Sequence, residues 1–254
     1  MDMLSLSIGV KGKMFFEEAM AGEIYTKFIM GKPHRGFLYN LSSHNTVLAY
    51  SKPIFEDAFF SHEWGIYKPD TILDAFEADG EDYYVKAHHN GYGCCSVQRE
   101  LKFLAQTGFL IRDSVFLGTR TDTPHIQRWF LSQGVTYQTL SDRMILFQNG
   151  DAKLLCVWNS EEVEFRFWKP DFLIPDIYQD ASEYNFILDV AFTDKRQRKQ
   201  KVSSTSILDT VMLDVSNRSH PSELHLDAIL LKLYQRGVND PEVINTLKNS
   251  TIGF

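Results

Sequence analysis

The stretch that decides our interpretation of the fold is WNSEEVEFRFWKPDFLI at residues 158–174, followed by FILDVAF at residues 186–192. Within it, Val163, Phe165 and Phe167 alternate with outward-type side chains, and this alternation predicts a half-buried strand. The short apolar runs at 172–174 and 186–192 predict two further strands. Two of its carboxylates, Asp171 and Asp189, come at strand-like segments, and a dense run of lysine and arginine follows at 195–201.

Around this stretch the sequence predicts a mixture of strands and helices. Residues 143–148 and 153–158 flank Asn149-Gly150, a pair typical of hairpin turns, and so predict a β-hairpin. Helical spacing of apolar residues and helix-capping signals predict helices elsewhere, at 14–32, 72–76, 96–107, 124–133, 206–213, 222–237 and 241–248. We therefore expect an α/β (α+β) fold with a helical N-terminal region and a mixed sheet flanked by helices.

The string SVQRELKFLAQTGFLIR at residues 96–112 is interpreted as a capped helix that ends in glycine and enters a strand. It resembles the recognition helix and wing entry of winged helix-turn-helix domains. The resemblance implies that this helix enters the major groove of DNA. The contact candidates are Ser96, Gln98, Arg99 and Lys102, with Arg112 and Arg120 near the wing. The alternative is a protein contact module or a structural spacer.

The acidic residues around residue 171 suggest a metal site. Magnesium takes oxygen ligands, usually one or two carboxylates plus water, and activates water for phosphodiester hydrolysis. Asp171 and Asp189 fit two neighbouring strands, and either Glu161 or Glu162 fits a third ligand. Lys195 is the nearest following lysine and is expected to assist the nucleophile. The predicted cofactor is Mg²⁺ or Mn²⁺.

These residues resemble the restriction-endonuclease-like superfamily, whose pattern is Pro-Asp, a hairpin, and then Asp or Glu, any residue, and Lys. Pro170-Asp171 matches the first part and Asp189 the second acid, but Ala191 stands where the family has lysine. Either a lysine such as Lys195 or Lys199 has moved to a neighbouring element, or the site is degenerate. A narrower resemblance, over residues 70–235, is to replication-relaxation proteins and plasmid mobilization relaxases. It implies DNA-backbone contacts by Lys195, Arg196, Arg198, Lys199 and Lys201.

The resemblances imply a domain layout and a function. An N-terminal region at 1–120, with the winged helix at about 68–120, would precede an endonuclease-like domain at 121–254. The expected function is metal-dependent nicking or cleavage of DNA, with mobilization or replication proteins as partners. The alternative is a DNA-binding regulator with a dead nuclease site, and a third possibility is a protein-interaction module without nucleic acid.

Composition narrows the function classes. The net charge of −7 argues against a protein covered in positive potential. No apolar run is long enough for a transmembrane helix and the N-terminus lacks signal-peptide features, so a cytoplasmic protein is expected. The cysteines Cys94, Cys95 and Cys156 lack zinc-site spacing and are expected to be buried thiols. Phosphate-loop, dinucleotide-binding and serine-hydrolase motifs do not occur in the sequence.

Overall fold

The computed structural model describes residues 4–17, 45–49, 71–90, 95–104, 108–117, 124–158, 163–169, 186–192 and 204–217. Strands occupy most of these residues. In chain order they are β1 (Ile8–Val10), β2 (Lys13–Phe16), β3 (Val47–Leu48), β4 (Thr71–Asp79), β5 (Asp82–His89), β6 (Cys95–Leu104), β7 (Gly108–Leu117), β8 (His125–Phe130), β9 (Thr136–Ser141), β10 (Met144–Asn149), β11 (Ala152–Trp158), β12 (Glu164–Trp168), β13 (Ile187–Phe192) and β14 (Ser204–Asp214).

The strands form three antiparallel sheets. The large sheet has eight strands in the order β4-β5-β6-β7-β14-β11-β10-β9, and the small sheet has four in the order β12-β13-β8-β3. Strands β1 and β2 make a separate hairpin. In the large sheet β7 pairs with β14 over ten residues, so strands from both sides of residue 120 share one sheet.

The two larger sheets pack face to face as a β-sandwich. Their inner faces contribute to one buried apolar cluster, which includes Trp129 and Leu188 from the small sheet and Ile145 and Leu154 from the large sheet. The ring of Phe16 from β2 lies between them, 5.0 Å from Trp129 and 5.1 Å from Phe147. Burial of these side chains supplies the main driving force for holding the sheets together.

Several predicted strands are confirmed. The hairpin around Asn149-Gly150 is present as β10 and β11, with Asn149 paired to Ala152 across a two-residue turn. Gly150 takes a positive φ of 62°, a conformation that glycine adopts without steric cost. The alternating segment after residue 163 is β12, and the apolar run at 186–192 is β13. The predicted strand at 172–174 lies outside the described residues.

The expected α/β fold and its winged helix are wrong. Of the described residues 77% lie in strands and 1% in helix. The segments predicted as helices at 72–76, 96–107, 124–133 and 206–213 are strands β4, β6, β8 and β14, and β2 occupies the start of the predicted helix at 14–32. Those predicted at 222–237 and 241–248 lie outside the described residues.

Strand β6 shows why the helix interpretation failed. Val97, Arg99 and Leu101 alternate with residues on the other face, and their partners across β7 are Val115, Asp113 and Ile111. This period of two is that of a strand, and the leucine spacing taken for a helix was coincidental.

Gly108 is not a helix cap either. Its φ is 145°, and a Cβ atom placed there would lie 2.0 Å from the carbonyl oxygen of Met212. Glycine is therefore needed because β14 passes directly beside the start of β7.

Candidate functional site

Most of the side chains proposed as DNA contacts on β6 share one face of the large sheet. Ser96, Gln98 and Lys102 alternate with the inward residues of β6 and lie on the outer face. Arg112, on β7, lies on the same face opposite Glu100. Four of the residues predicted to contact DNA therefore share a surface, but this surface is the face of a sheet and not a recognition helix. Arg120 lies outside the described residues.

A row of alternating charges crosses this outer face. Lys86, Glu100, Arg112 and Asp209 are successive cross-strand partners on β5, β6, β7 and β14. Arg112 donates two hydrogen bonds to Asp209, from Nε at 2.7 Å and from Nη2 at 2.8 Å. The Lys86 Nζ atom lies 3.9 Å from Glu100 Oε1. Opposite charges on facing strands stabilise the sheet modestly and leave this row with little net charge.

Glu100 collects further donors beside this row. The Tyr84 hydroxyl donates to its Oε2 at 2.9 Å, and Gln98 Nε2 donates to its Oε1 at 2.8 Å. Burial and then the hydrogen bond and charge of Glu100 raise the pKa of Tyr84 to about 12. Lys102 lies over the Tyr84 ring with its Nζ 5.6 Å from the centroid, and burial lowers its pKa. Tyr84 therefore keeps its proton and acts as a hydrogen-bond donor.

A histidine and an aspartate extend the face to β4. The β4–β5 pairing is irregular between Leu73 and Ala75. Asp74, within this irregularity, places its carboxylate oxygens 2.8 and 2.9 Å from Nδ1 of His88. We refer to the whole set as the polar face, formed by Asp74, Tyr84, Lys86, His88, Gln98, Glu100, Lys102, Arg112 and Asp209. It is dense in donors and acceptors. With Glu77, the cross-strand partner of Tyr84, its carboxylates exceed its lysine and arginine side chains by one, four against three.

Arg99, a predicted DNA contact, lies in the sandwich interior with 4% of its side chain exposed. Its Nε and Nη2 atoms donate to the two carboxylate oxygens of Asp113 at 2.6 and 2.9 Å. Its Nη1 atom donates to the carbonyl oxygens of Leu4 and Asn45, both at 2.7 Å. A buried guanidinium needs such partners because removing its charge from water is costly.

Gln127 of β8 joins this buried pair to both sheets. Its amide nitrogen donates to Asp113 at 2.7 Å and to Thr210 at 3.0 Å. Its amide oxygen accepts the indole N–H groups of Trp129 and Trp158 at 2.8 and 2.9 Å. Sequence reasoning missed this network. The sequence does hold a signal for it, because Arg99 and Asp113 are charged residues at inward positions of β6 and β7. This signal can be read only once the two segments are recognised as strands.

Asp189, a predicted metal ligand, lies on the outer face of the small sheet and is 6% exposed. It accepts hydrogen bonds from Arg128 Nε and Nη2 at 2.6 and 2.8 Å and from Trp168 Nε1 at 2.9 Å. Within the described ranges no group of three or more His, Cys, Asp or Glu side chains could hold a metal ion. The other predicted site residues lie outside those ranges, at Glu161, Glu162, Asp171, Lys195, Arg196, Arg198, Lys199 and Lys201. A Mg²⁺ or Mn²⁺ site and a DNA partner therefore remain predictions.

The cysteine prediction is confirmed where it can be followed. Cys95 and Cys156 are buried, and burial raises the pKa of the Cys156 thiol. Cys94 lies outside the described residues. In the described part of the chain, no helix has the length and apolarity needed to cross a bilayer.

The fold is similar to that of polysaccharide lyases. A structure of heparinase III matches with a TM-score of 0.57 and 16% identity over 84% of this chain. The heparan sulfate lyase HepC from Pedobacter heparinus matches with a TM-score of 0.56 and 12% identity over 83% of it. Both matches cover 30% of the neighbouring protein, so this chain spans about a third or less of their length. Neither a protein-family model nor a curated protein matches the sequence.

These likenesses overturn the nuclease interpretation. The shared architecture is a β-sandwich, whereas a restriction-endonuclease-like core with a winged helix requires helices in segments that are strands here. The resemblance to mobilization relaxases and the endonuclease function are therefore wrong. The Pro-Asp and Asp189 motifs were too short to distinguish a nuclease from a sandwich strand.

Proposed function

We propose that this chain is a polysaccharide-binding β-sandwich and that its ligand is an acidic polysaccharide such as heparan sulfate. The observation that carries the proposal is the fold shared, over more than four fifths of the chain, with heparinase III and a heparan sulfate lyase. Fold alone does not determine function, so the proposal also needs a surface suited to sugars.

The polar face offers such a surface. Sugar hydroxyl groups both donate and accept hydrogen bonds, and Glu100 and Gln98 supply the two kinds of partner side by side. Residues two apart on a strand are about 6.6 Å apart, so the face presents a regular grid of polar groups to an extended chain. Hydroxyl groups suit this face, and the anionic groups of an acidic sugar would be met by Lys86, Lys102 and Arg112.

We assign polymer binding to this face. A general base works best with a pKa near the operating pH. Tyr84, held by Glu100, has its pKa raised to about 12, mainly by burial, and so is a poor base. Tyr84 therefore acts as a hydrogen-bond donor on this face, and the proposal concerns affinity for the polymer.

Isothermal titration calorimetry with heparan sulfate, a neutral glucan and duplex DNA tests the proposal. We expect binding of heparan sulfate, and a loss of about tenfold in affinity for Glu100→Ala, because hydrogen bonds to charged groups contribute ~1.5 to 3 kcal/mol. Asp142→Ala is the matched control, since it removes a carboxylate that is 77% exposed elsewhere on the molecule. Binding of DNA alone, or of none of the three, would contradict the proposal.

A further inference from the structure

The outer face of the large sheet changes character beyond the row formed by Arg112 and Asp209. Towards the end of β14 the next two rows are apolar, although an antiparallel sheet that faces water normally carries polar side chains on that face. Six of these side chains are only 1% to 8% exposed. We call them the outer apolar patch, formed by Leu110, Met144, Leu155, Val157, Val211 and Leu213.

The outer apolar patch lies outside the core of the sandwich. Val211 and Leu213 alternate along β14 with Thr210, which bonds to Gln127 of the small sheet, and with Met212, which lies in the apolar cluster. Among the described residues, the cluster between the two sheets includes none of the six side chains of the patch. Apolar side chains that are buried on an outer face indicate a further layer over that face.

Burial on this outer face rises towards one end of β14. Near the start of β14, Ile207 is 48% exposed and Phe116, on β7, is 40% exposed. Near its end, Val211 and Leu213 are 3% and 1% exposed. The covering layer therefore lies over the end at which β14 finishes.

The chain leaves β14 at this buried end. The Val215 N–H donates to the carbonyl oxygen of Lys153 at 3.0 Å, and the Lys153 N–H donates to the Ser216 hydroxyl at 2.9 Å. Leu155, in the patch, is two residues from Lys153 on β11, a distance of about 6.6 Å. Residues 218–254 thus start beside the outer apolar patch.

The other segments outside the described residues are less well placed to cover the patch. Those that adjoin the opposite, exposed end of the large sheet are 50–70, 91–94, 118–123 and 193–203. Segments 18–44 and 170–185 adjoin β2 and the small sheet, and 105–107 and 159–162 are short connections. Residues 218–254 are the long segment that starts at the buried end.

The sequence of this segment suits an apolar surface. Leu226, Ile229, Leu230 and Leu233 follow the i, i+3, i+4, i+7 spacing of one helix face, and we call these four the tail stripe. A helix over 222–237 would be about 24 Å long. The row from β7 to β10 crosses three strand spacings, or about 14 Å. One such helix is long enough to cover the outer apolar patch.

We propose that residues 222–237 form an amphipathic helix that docks on the outer apolar patch through the tail stripe. The helix adds a third layer to the sandwich. It leaves the polar face, on the other side of the Arg112–Asp209 row, open to a ligand. The inference goes beyond the proposed function and does not depend on it, because its test needs no polysaccharide.

Photo-crosslinking in the full chain tests the docking directly. Met144→benzoylphenylalanine places a benzophenone at the edge of the patch, and on irradiation this group bonds to C–H groups that touch it. We expect peptide mass spectrometry to find the crosslinks in residues 222–237. Ile207→benzoylphenylalanine is the matched control, because it lies on the same outer face at the exposed end of β14. It should give no crosslink to that segment.

A double-mutant cycle measured by urea unfolding of the full chain gives an independent test. Val157→Ala and Leu233→Ala should be non-additive by at least about twofold in the equilibrium constant for unfolding, because side chains in contact couple. Leu231→Ala is the matched control, since Leu231 is the same residue type on nearly the opposite side of a helix. It should be additive with Val157→Ala.

Several outcomes would overturn the inference. Crosslinks from position 144 to another segment, or to a second copy of the chain, would show that something else covers the patch. Additivity of Val157→Ala with Leu233→Ala would exclude the contact. Equal coupling of Val157→Ala to both leucine variants would also overturn it, because a general loss of structure then explains the result. The cycle uses only truncations to alanine, so it decides the question if the bulkier variant does not fold.

Discussion

Two arginine–aspartate pairs on neighbouring strands share one geometry and differ in their surroundings. Arg99–Asp113, in the interior, and Arg112–Asp209, on the polar face, each join two guanidinium nitrogens to two carboxylate oxygens at 2.6 to 2.9 Å. Arg99 is 4% exposed, whereas Arg112 is 28% exposed. Two ion pairs of the same geometry therefore differ in how far their arginine reaches water.

Different access to water predicts different costs of breaking the two pairs. In the interior, a guanidinium that loses its carboxylate has only protein atoms around it, so its charge stays uncompensated. On the polar face, Arg112 keeps contact with solvent and lies opposite Glu100. The interior pair is closed to water on both sides, whereas in the outer pair Arg112 reaches solvent and Asp209, 1% exposed, does not.

The largest effect should come from breaking the interior pair. Asp113→Ala is expected to lower the free energy of unfolding by about 3 to 5 kcal/mol, because Arg99 and Gln127 both lose a buried partner. Asp209→Ala should cost about 1 to 2 kcal/mol, because Arg112 can turn to water. Urea unfolding of both variants gives the two values. Equal losses would show that exposure of the arginine does not set the cost.

A second prediction concerns acid. Burial lowers the pKa of His89 and of His125 from 6.5 to about 4, and the charge of Arg99 adds to the effect on His89. The unfolded chain then binds more protons than the folded one between these values, so stability is full above pH 6.5 and is lost as the pH falls through 4. The expected loss is about 3 kcal/mol for each histidine.

Urea unfolding across this pH range and NMR titration of the imidazole protons check the prediction. His125→Phe removes one of the two groups, so its stability should fall less steeply with acid than that of the unchanged protein. Histidine signals that titrate at the ordinary value while the protein stays folded would contradict burial of the neutral rings.

The smallest effect is expected on the polar face. The raised pKa of Tyr84 means that the folded protein holds this proton up to about pH 12, so its contribution to stability is present below pH 10 and is lost as the pH rises through 12. Removing the acceptor by Glu100→Ala should move the pKa of Tyr84 back toward 10, with little change in stability near neutrality. Ultraviolet absorbance of tyrosinate follows the titration, with Tyr84→Phe as the control that identifies the signal.

Local strand signals were predictable from sequence. The Asn149-Gly150 turn and the alternation of Val163, Phe165 and Phe167 gave β10, β11 and β12 correctly, because a two-residue turn and a period of two leave a direct mark on sequence. Strands β6, β8 and β14 were misread as helices because their inner faces carry Arg99, Gln127 and Thr210 among apolar residues. These buried polar residues obscure the alternation, and only the partner strands explain them.

Part of the polar face was predicted from the sequence, although the helix on which that prediction was based does not exist. Ser96, Gln98 and Lys102 were singled out as groove contacts of a helix and Arg112 as a residue near the wing. They do share a surface, because positions two apart on a strand also lie on one face. Arg99 was misplaced by the same argument, since a strand turns adjacent residues to opposite faces. No sequence motif includes Tyr84, Lys86 or His88. They reach the polar face because β5 pairs with β6.

The bond from Arg99 to the carbonyl oxygen of Leu4 joins residues 95 positions apart in the chain. That oxygen therefore gains this partner only after Arg99 has been synthesised and β6 has formed. Long-range closures of this kind come late because the chain must first lose the entropy of the loop. The segment around Leu4 is thus expected to dock late, and a chain that lacks Arg99 cannot form this bond.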